Sequence, residues 1–444
     1  MEQKNSMLNL NLDQQKSLKT ILSWWKGNQL YMILDGAAGT GKTFLVNEVL
    51  HSLPNCRPMI LAPTHEALKQ VSEKIEGNYL LKTVHSALGI TPTTDKQDLE
   101  FEHIRLPEFW SNFNLVVLDE ASMLSSWLLD ILKTTETKIL FIGHKSQLPP
   151  VDKKRGVFDK CISPVFEQGW LTTTLTTPMR NTGSLFDYNN LLEKMIYSSN
   201  RIVPNTFDIK TSDLAIYLES DKGKDDLLKG ETKVVLWSNE GVDNWNRKLR
   251  LSIFGGKSID TKYLPTDKII LTAPLSVIPC LENHSDVGLS NIDYASDGLD
   301  KCYSNTKAEV IYCEEETIHL NEILSIPCYK IAVKCDDGCR YFYEAKDSRD
   351  IQHIDDYYKH LAWKAGSKQQ KIKAFKTRRF ILSCFAQIKH YYAATSYRLQ
   401  GCSIPNIICI NSDIAKVKNI VEAKKHRYVA CSRARDNLYF YRGL

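Results

Sequence analysis

The stretch Leu30-Tyr-Met-Ile-Leu-Asp-Gly36-Ala-Ala-Gly-Thr-Gly41-Lys42-Thr43 decides the fold of this chain. Its apolar first half predicts a buried strand, its glycine-rich middle predicts a loop, and Lys42 opens a helical pattern. Glycines allow successive backbone N–H groups to point at phosphate oxygens, and the start of the helix adds its positive dipole end. The spacing predicts that Lys42 reaches the β- and γ-phosphates of a nucleotide and that the Thr43 hydroxyl binds Mg²⁺.

A second stretch, Leu115-Val-Val-Leu-Asp119-Glu120, supplies the carboxylates that such a site needs. Four apolar residues predict a buried strand, and open α/β sheets place their ligands at the carboxyl ends of strands. We expect Asp119 to hold the Mg²⁺ and Glu120 to orient and deprotonate the attacking water. Together the two stretches predict hydrolysis of Mg-ATP.

Around these stretches, short β-rich runs alternate with helical runs from Leu30 to Ile142, which predicts a parallel sheet with helical crossovers. A second αβ pattern begins near Leu175, includes a strand at Lys233–Trp237, and resumes with strands at Asn406–Ile410 and Asn437–Tyr441. Between its two parts, short strands with turn signals predict an inserted β-rich module that resembles a small barrel. The fold class is therefore α/β.

Composition and charge exclude several other classes of protein. Of the 444 residues, 43% are hydrophobic and 25% are charged, which is typical of a folded globular protein, and a net charge of +5 is too small to demonstrate nucleic-acid binding. Twelve cysteines are scattered singly, which favours reduced thiols. The pair Cys335 and Cys339 flanks Asp337-Gly338 and favours a hairpin over a zinc site, because a second ligand pair is missing.

The amino terminus is polar, and no apolar run approaches the roughly 20 residues that a bilayer requires. We therefore expect a cytoplasmic protein without membrane association, located in the host cytoplasm if the source is viral.

Seven further segments, together with their order along the chain, indicate what kind of ATPase this is. They are Leu10–Gln14, Leu61–Ala67, Thr83–Ser86, Gly143–Val151, Leu175–Arg180, Thr395–Gly401 and Arg427–Ala434. With the two stretches above, these segments resemble, over nearly the whole chain, the motifs of the superfamily 1 helicases, and specifically their RecD/Dda-like branch. The resemblance implies two RecA-like P-loop NTPase domains with ATP in the cleft between them.

The resemblance implies the following domain boundaries. The first RecA-like domain covers residues 1–175 and contains a pin hairpin at about 86–110. The second is formed by residues 176–264 and 377–444, and residues 265–376 form the barrel-like insertion with a helical extension.

The resemblance also implies roles for single residues at the nucleotide. Gln14 would read adenine, Gln147 would sense the γ-phosphate, and Arg180 and Arg433 would act as arginine fingers, since a guanidinium can neutralise charge on γ-phosphate oxygens. The expected catalytic residues are Lys42, Asp119, Glu120, Gln147, Arg180 and Arg433. The expected nucleotide-binding residues are Gln14, Gly36, Ala37, Ala38, Gly39, Thr40, Gly41, Lys42, Thr43, Gln400 and Gly401, with Thr43 and Asp119 as metal ligands.

Another set of residues is implied to contact nucleic acid: Pro63, Thr64, His65, Thr83, His85, Phe101, Ser238, Asn239, Thr395, Ser396 and Arg398. Phe101 is the expected wedge, because an aromatic ring can cap a terminal base pair, with a buried hairpin phenylalanine as the alternative. Two positions depart from the family pattern. His144 stands where the family usually has aspartate, and Tyr397-Arg398 stands where it commonly has His-Lys.

These inferences predict an ATP-dependent DNA helicase that moves along single-stranded DNA and unwinds duplex DNA in replication, recombination or repair. The resemblance implies 5′-to-3′ movement. The expected partners are single-stranded and forked DNA, with a single-strand-binding or replisome protein as a further candidate, and the expected state is a monomer. Two alternatives are open: an RNA helicase, and a nucleic-acid-stimulated regulatory ATPase in which His144 and Tyr397 mark lost coupling.

Overall fold

The computed structural model describes residues 10–90, 107–150, 162–179, 183–199, 206–277, 300–320 and 324–442. The chain divides into two compact units. The first unit comprises Met1–Ile216, Glu231–Val242 and Ala394–Leu444, and the second comprises Tyr217–Gly230 and Asp243–Ala393. The three-part division at residues 175, 265 and 376 stays a prediction.

The first part of the chain forms six strands, with helices between them. The strands are β1 (Tyr31–Gly36), β2 (Pro58–Ala62), β3 (Leu80–Thr83), β4 (Leu115–Leu118), β5 (Lys138–Gly143) and β6 (Leu171–Leu175). The helices are α1 (Leu12–Lys26), α2 (Lys42–His51), α3 (His65–Ser72), α4 (Val84–Leu88), α5 (Pro107–Trp110) and α6 (Ser126–Lys133). The strands form one parallel sheet in the order β3-β2-β4-β5-β1-β6, as the sequence predicts.

The core of this sheet explains its continuous apolar strands. Alternate side chains of a strand point to opposite faces. Met32 and Leu34 of β1 pack with α1 and α2 on one face, whereas Ile33 packs with Leu128 and Leu132 of α6 on the other. A parallel sheet that is covered on both faces therefore has buried residues at every position.

The next part of the chain contributes strands β7 (Asp208–Ile209) and β8 (Thr232–Leu236). Its helices are α7 (Ser184–Met195), α8 (Thr211–Glu219), α9 (Asp221–Lys229), α10 (Asn239–Phe254) and α11 (Lys257–Asp260).

The β-rich part of the second unit follows. Its strands are β9 (Lys268–Leu271), β10 (Leu275–Val277), β11 (Asp300–Cys302), β12 (Lys307–His319), β13 (Ser325–Cys335), β14 (Gly338–Ala345) and β15 (Ile388–His390). Two helices, α12 (Ser348–Lys364) and α13 (Lys368–Ser383), lie between β14 and β15. Five of the strands form a sheet in the order β14-β13-β12-β9-β15.

Two features of this sheet bear on the predictions. The expected hairpin is confirmed, because β13 and β14 pair antiparallel with Cys335 opposite Gly338. The backbone N–H of Ala386, just before β15, donates to the carbonyl of Tyr343 in β14 at 2.6 Å. This bond brings the two ends of the sheet together, as in a barrel.

The final part of the chain returns to the first unit and completes a second parallel sheet. It adds β16 (Ala393–Thr395), β17 (Ile404–Ile410), β18 (Ala434–Tyr441), α14 (Asn411–Ile414) and α15 (Ile420–Ser432). The order is β16-β8-β17-β18-β7, and β8, β17, β18 and β7 run parallel. Within the described ranges, no helix combines the length and apolar character that crossing a bilayer requires.

Candidate nucleotide and nucleic-acid sites

The glycine-rich loop has the backbone conformation that phosphate binding requires. Gly39 and Gly41 have φ angles of +83° and +82°, in the left-handed region that favours glycine. Lys42 begins α2, and its ammonium donates to the carbonyls of Gly36 and Ala37 at 2.7 and 2.9 Å. The lysine is thus held at the mouth of the loop, where a phosphate oxygen can replace a carbonyl as its partner.

The remaining residues of the loop are also in place. The Thr40 hydroxyl donates to the Ala37 carbonyl at 2.9 Å and closes the turn that contains Ala38. Thr43 is half-buried in the first turn of α2, directly after Lys42. Its hydroxyl is therefore at the helix position from which a Mg²⁺ ligand is expected.

Gln14 lies against this loop and is fully buried. Its Oε1 accepts from the Asn11 N–H at 3.1 Å and Asn11 Oδ1 accepts from the Gln14 N–H at 2.8 Å, a capping box that starts α1. Its Nε2 lies 3.5 Å from the Thr40 carbonyl, and a Cβ on Gly41 would approach Nε2 to 2.4 Å. The structure therefore brings Gln14 to the nucleotide site, and its contact with adenine stays a prediction.

The two carboxylates follow β4 at the same edge of the sheet. Glu120 has φ +50°, which is unusual for a residue other than glycine, and its N–H donates to Asp119 Oδ1 at 2.9 Å. Burial and the charge of Glu120 raise the pKa of Asp119 to about 6, against the opposing charge of Lys42. Burial likewise lowers the pKa of Lys42, although both carboxylates oppose that shift.

These residues fit a Mg²⁺ ion. Glu120 Oε2 is buried without a hydrogen-bond partner among the described residues, and burial together with the charge of Glu120 raises the pKa of Asp119. The described ranges contain no cluster of three or more His, Cys, Asp or Glu that could hold a metal. Mg²⁺ does not need one, because it takes one or two protein ligands together with phosphate and water. Thr43 and Asp119 would be those ligands.

The loop after β5 connects the nucleotide site of the first sheet to the second sheet. Gln147 is buried, and its Oε1 accepts from Ser122, two residues after Glu120, at 2.6 Å. The buried ammonium of Lys425 in α15 donates to the carbonyls of Lys145 and Gln147 at 2.8 and 2.9 Å. A side chain of the second sheet thus holds the loop that carries the expected γ-phosphate sensor.

Gln400 and Gly401 make a second connection at this loop. Gln400 Nε2 donates to the Leu148 carbonyl at 3.2 Å, while Gln400 Oε1 is buried without a hydrogen-bond partner in the described part of the chain. A Cβ built on Gly401 would lie 3.6 Å from Glu120 Oε1. Both residues therefore lie beside the catalytic carboxylate, as a nucleotide-binding role requires.

Arg433 is buried at the end of α15 and faces the same site. Its guanidinium donates to the Cys402 carbonyl at 3.4 Å and to the Ser432 hydroxyl at 3.0 Å. Its charge is close enough to contribute, after burial, to the lowered pKa of Lys42. Arg433 therefore lies close enough to Lys42 to act on its charge, and its role as an arginine finger stays a prediction.

His144, which departs from the family pattern, lies in a buried network of charges. Its Nδ1 is 2.8 Å from Asp35 at the end of β1, and its Nε2 is 3.0 Å from Glu193 in α7. Burial opposes protonation, but the hydrogen bonds that the ring makes to Asp35 and Glu193 outweigh it and raise the pKa of His144. The ring links the strand before the phosphate loop to a helix that packs on α15.

The expected nucleic-acid contacts of the first sheet lie side by side. Ala62 pairs with Thr83 in register, so the loops after β2 and β3 are adjacent. Thr64 and Thr83 cap α3 and α4 by accepting from backbone N–H groups at 3.2 Å. Pro63, His65 and His85 are half-buried beside them, and burial lowers the pKa of both histidines, so that they are neutral near pH 7.

The second sheet carries a matching pair of loops. Ser238, at the end of β8, donates to Asp413 at 2.8 Å and accepts from Gly241, and Asn239 beside it is exposed. Next to β8, at the end of β16, Thr395 accepts from the Arg398 N–H at 3.3 Å. Ser396 is fully buried and bonds to His426, so its side chain holds the loop from within.

Two expected site residues, Arg180 and Phe101, lie outside the described residues, as does most of the expected pin hairpin. Their roles stay predictions.

Comparisons with known proteins agree with this geometry. A family profile described as an AAA domain matches residues 26–153. The chain is similar to the ATP-dependent DNA helicase Dda of Enterobacteria phage T4, at 28% identity over 59% of this chain and 61% of that helicase. Less than two thirds of that relative is therefore matched.

Solved structures of Pif1 helicases share the fold. One, from work on DNA unwinding at forked duplex DNA, has a TM-score of 0.52 at 17% identity and covers 97% of this chain and 91% of that chain. Another, of Bacteroides Pif1 with ADP-AlF3 and single-stranded DNA, has a TM-score of 0.51 at 16% identity and covers 96% and 91%. In sequence the chain resembles the Dda helicase, and in fold it resembles Pif1 helicases. Its fold, with two RecA-like domains, is the predicted one.

Several residues that bond to the candidate site residues were missed by reasoning from motifs. They are Asn11, Asp35, Glu193, Asp413 and Lys425. Lys425 had a recognisable signal: it stands in a helical segment shortly before the apolar run Tyr428–Cys431, and buried cations must bind a carboxylate or carbonyl. Asp35 and Glu193 had no such signal, because their common partner is His144, which stands where the family usually has aspartate.

Proposed function

We propose that this chain is an ATP-dependent DNA helicase that moves along single-stranded DNA and separates duplex DNA. One observation carries the proposal: the loop with Gln147 is bonded to the turn after Glu120 and also to Lys425 of the second RecA-like domain. Chemistry at the γ-phosphate therefore acts on the contact between two domains, and each of them presents loops suited to a nucleic-acid strand. The name of the matched phage relative supports the same activity.

In this proposal, hydrolysis requires residues from both domains. Lys42 binds the β- and γ-phosphates, and Glu120 takes the proton of the attacking water. Thr43 and Asp119 would hold the Mg²⁺ ion, which would supply positive charge beside the phosphates. Arg433 stabilises the charge that develops on the γ-phosphate oxygens, and Arg180 is the second candidate for that role.

Movement follows when closure and opening of this cleft alternate the grip on the strand. Thr64, His65 and His85 hold it on one domain, and Ser238 and Thr395 hold it on the other. A closed cleft shortens the distance between the two grips, and release of phosphate restores it. Single-stranded and forked DNA are the proposed partners. The ten free cysteines among the described residues support a reducing compartment such as the cytoplasm.

The test is strand separation on forked substrates with a 5′ tail, a 3′ tail, or RNA in place of DNA, with and without ATP. Wild-type protein should release the strand only with ATP and should favour the 5′-tailed DNA fork, and Lys42→Ala should hydrolyse no ATP. Stimulated hydrolysis without separation would favour the regulatory ATPase. Faster separation of the RNA fork would favour the RNA helicase.

A further inference from the structure

One surface of the second unit has a charge pattern that the ATPase mechanism does not use. No aspartate or glutamate occurs between Asp356 and Asp413. Within this interval α13 carries six cations, of which five are exposed: Lys368, Lys371, Lys373, Lys376 and Arg379. In the described part of the chain, none of the five forms an ion pair with a carboxylate.

The opposite side of α13 explains why these cations face solvent. Thr377, Arg378 and Ile381 are buried, and Arg378 pairs with Asp355 of α12 at 2.5 Å. Ile381 packs with Ile354 of α12 in the same apolar cluster. The helix therefore has a packed side and a basic side, and the basic side is free for a ligand.

Apolar and aromatic side chains lie among the cations. Ile372 and Phe375 are 46% and 36% exposed, and they fall on the same side of α13 as Lys368 and Arg379 because residues three and four apart share a face. Trp363, in the last turn of α12 before α13 begins, is 88% exposed. A tryptophan and a phenylalanine that are exposed beside lysines form a surface on which nucleic-acid bases can stack.

We propose that the exposed side of α13, together with Trp363, is a binding surface for single-stranded nucleic acid. The cations bind backbone phosphates, and the rings of Trp363 and Phe375 stack on bases. Four side chains define the phosphate contacts: Lys368, Lys371, Lys376 and Arg379. This surface lies on α12 and α13, outside both RecA-like domains.

The choice of a single strand rests on the aromatic rings. A duplex offers phosphates to a basic helix, but its bases are already stacked and leave the rings in water. An anionic membrane would attract the same cations. It would, however, require a broad apolar face, whereas here Lys371 and Lys376 flank Ile372 and Phe375.

The proposal deepens the proposed helicase function, on which it rests for its ligand, by adding a grip outside the ATPase cleft. The expected salt dependence is specific. Each phosphate contact with a single strand contributes about 0.7 to the slope of log K against log salt concentration. Loss of four contacts should therefore reduce the slope by roughly 2 to 3.

The experiment measures binding of the full chain to a long oligothymidine across a range of salt concentrations. The test variant changes four cations to glutamine: Lys368→Gln, Lys371→Gln, Lys376→Gln and Arg379→Gln. The matched control removes the same charges from exposed sites elsewhere in the second unit: Lys222→Gln, Lys257→Gln, Lys334→Gln and Arg247→Gln. Thermal unfolding of both variants checks the fold, and hydrolysis of ATP without oligonucleotide should be unchanged in both.

A second arm tests stacking. Trp363→Ala should weaken binding to oligothymidine about 5-fold or more and should leave binding to an abasic strand of equal length unchanged. With bromouracil in the oligonucleotide, ultraviolet cross-linking of wild-type protein should label the peptide that contains Trp363.

Each alternative result overturns the proposal. Equal salt slopes in the test variant and its matched control would show that the four cations do not contact phosphates. Weaker binding of the test variant without any effect of Trp363→Ala would show that the surface holds phosphates alone and would remove the stacking that selects a single strand. Binding to anionic vesicles that the test variant alone loses, with oligothymidine binding retained, would assign it to a membrane. Failure of oligothymidine to stimulate ATP hydrolysis in wild-type protein counts against the helicase function instead, because binding and cross-linking are read without ATP.

Discussion

The two parallel sheets of this protein have similar architecture but carry different chemistry. The first sheet presents the phosphate loop, both catalytic carboxylates and Gln147 at its carboxyl edge. The described loops of the second sheet have no glycine-rich phosphate cradle. The second domain instead contributes Gln400, Arg433 and, from helix α15, Lys425. In the proposed mechanism, the first domain binds the nucleotide, and the second supplies the charges that respond to it.

In that mechanism hydrolysis depends on the second domain, although the nucleotide is held by the first. Glu120 Oε2 and Gln400 Oε1 are both buried without hydrogen-bond partners in the described ranges, one from each domain. Buried polar atoms without partners are costly, so a ligand that satisfies both stabilises the pair of domains together. Substitutions at the contacts between the two domains therefore test whether the domains differ in this way.

The largest effect should come from Arg433→Ala, which removes the charge that the second domain directs at the phosphates. Nucleic-acid-stimulated hydrolysis should fall by about 10³-fold or more, since arginine fingers contribute that much to rate. Arg435→Ala is the matched control, because Arg435 is exposed two residues later and pairs with Asp436. Steady-state release of phosphate measures hydrolysis in both variants. Near-normal turnover in Arg433→Ala would contradict the proposal that the second domain supplies a charge needed for hydrolysis.

Glu120→Gln should come next, with a loss of hydrolysis of about 10²–10⁴-fold and retained ATP binding, because only the proton acceptor is removed. Bound nucleotide is measured by fluorescence of a labelled ATP, and affinity for the strand should persist. Glu136→Gln is the control, since Glu136 also has a positive φ of +53° but is exposed, away from the site. Normal turnover in Glu120→Gln would show that another group accepts the proton.

A smaller, more selective effect is expected for Lys425→Met. It breaks the bonds to the Lys145 and Gln147 carbonyls, and stability should fall by about 2 kcal/mol because hydrogen bonds to charged groups contribute that much. The stimulation of hydrolysis by oligonucleotide should fall as well.

Lys424→Met provides the control for that change. The neighbouring ammonium donates to the Met195 and Ser198 carbonyls at 2.9 and 2.7 Å, at the end of α7 within the second domain. Chemical denaturation should show similar losses of stability in the two variants, with stimulation retained in Lys424→Met. If both variants lost stimulation equally, Lys425 would be only a structural residue.

The smallest effect should be the pH dependence of His144→Asn. Because the pKa of His144 is raised, its stabilisation is complete below the usual value of 6.5 and is lost as pH rises through the raised pKa. The pKa of Glu193 is lowered from 4.5 and that of Asp35 from 3.8, each because the hydrogen bond from His144 outweighs burial. Their stabilisation is lost only as pH falls through those lowered values.

The melting temperature of His144→Asn should therefore lie furthest below that of wild type between pH 4.5 and 6.5, by about 2–4 °C, and the gap should narrow at higher pH. The groups that face the ring are Asp35, Glu193 and the side chain of Tyr428, with Lys145 beside Asp35. His319→Asn, at an exposed histidine, should show no such pattern. A gap that is constant with pH would mean that His144 is neutral in the folded protein.

Prediction from motifs succeeded where local structure depends on neighbouring residues. The strand, loop and helix from Tyr31 to His51 were predictable, because an apolar run and glycine spacing determine the local backbone. The hairpin at Asp337-Gly338 was predictable for the same reason. Ser396 shows the limit, since its motif position indicates a strand contact and its side chain is buried against His426.

The sequence by itself determined the αβ fold class, the phosphate loop and the order of the catalytic residues, since each depends on side-chain periodicity or on the conformation of a few adjacent residues. Only the tertiary structure decided which distant groups meet. Lys425 and Lys145 are 280 positions apart, and His144 and Asp35 are 109 apart. A pattern along the chain records burial but not the identity of a partner, because that partner is chosen by how helices and sheets pack.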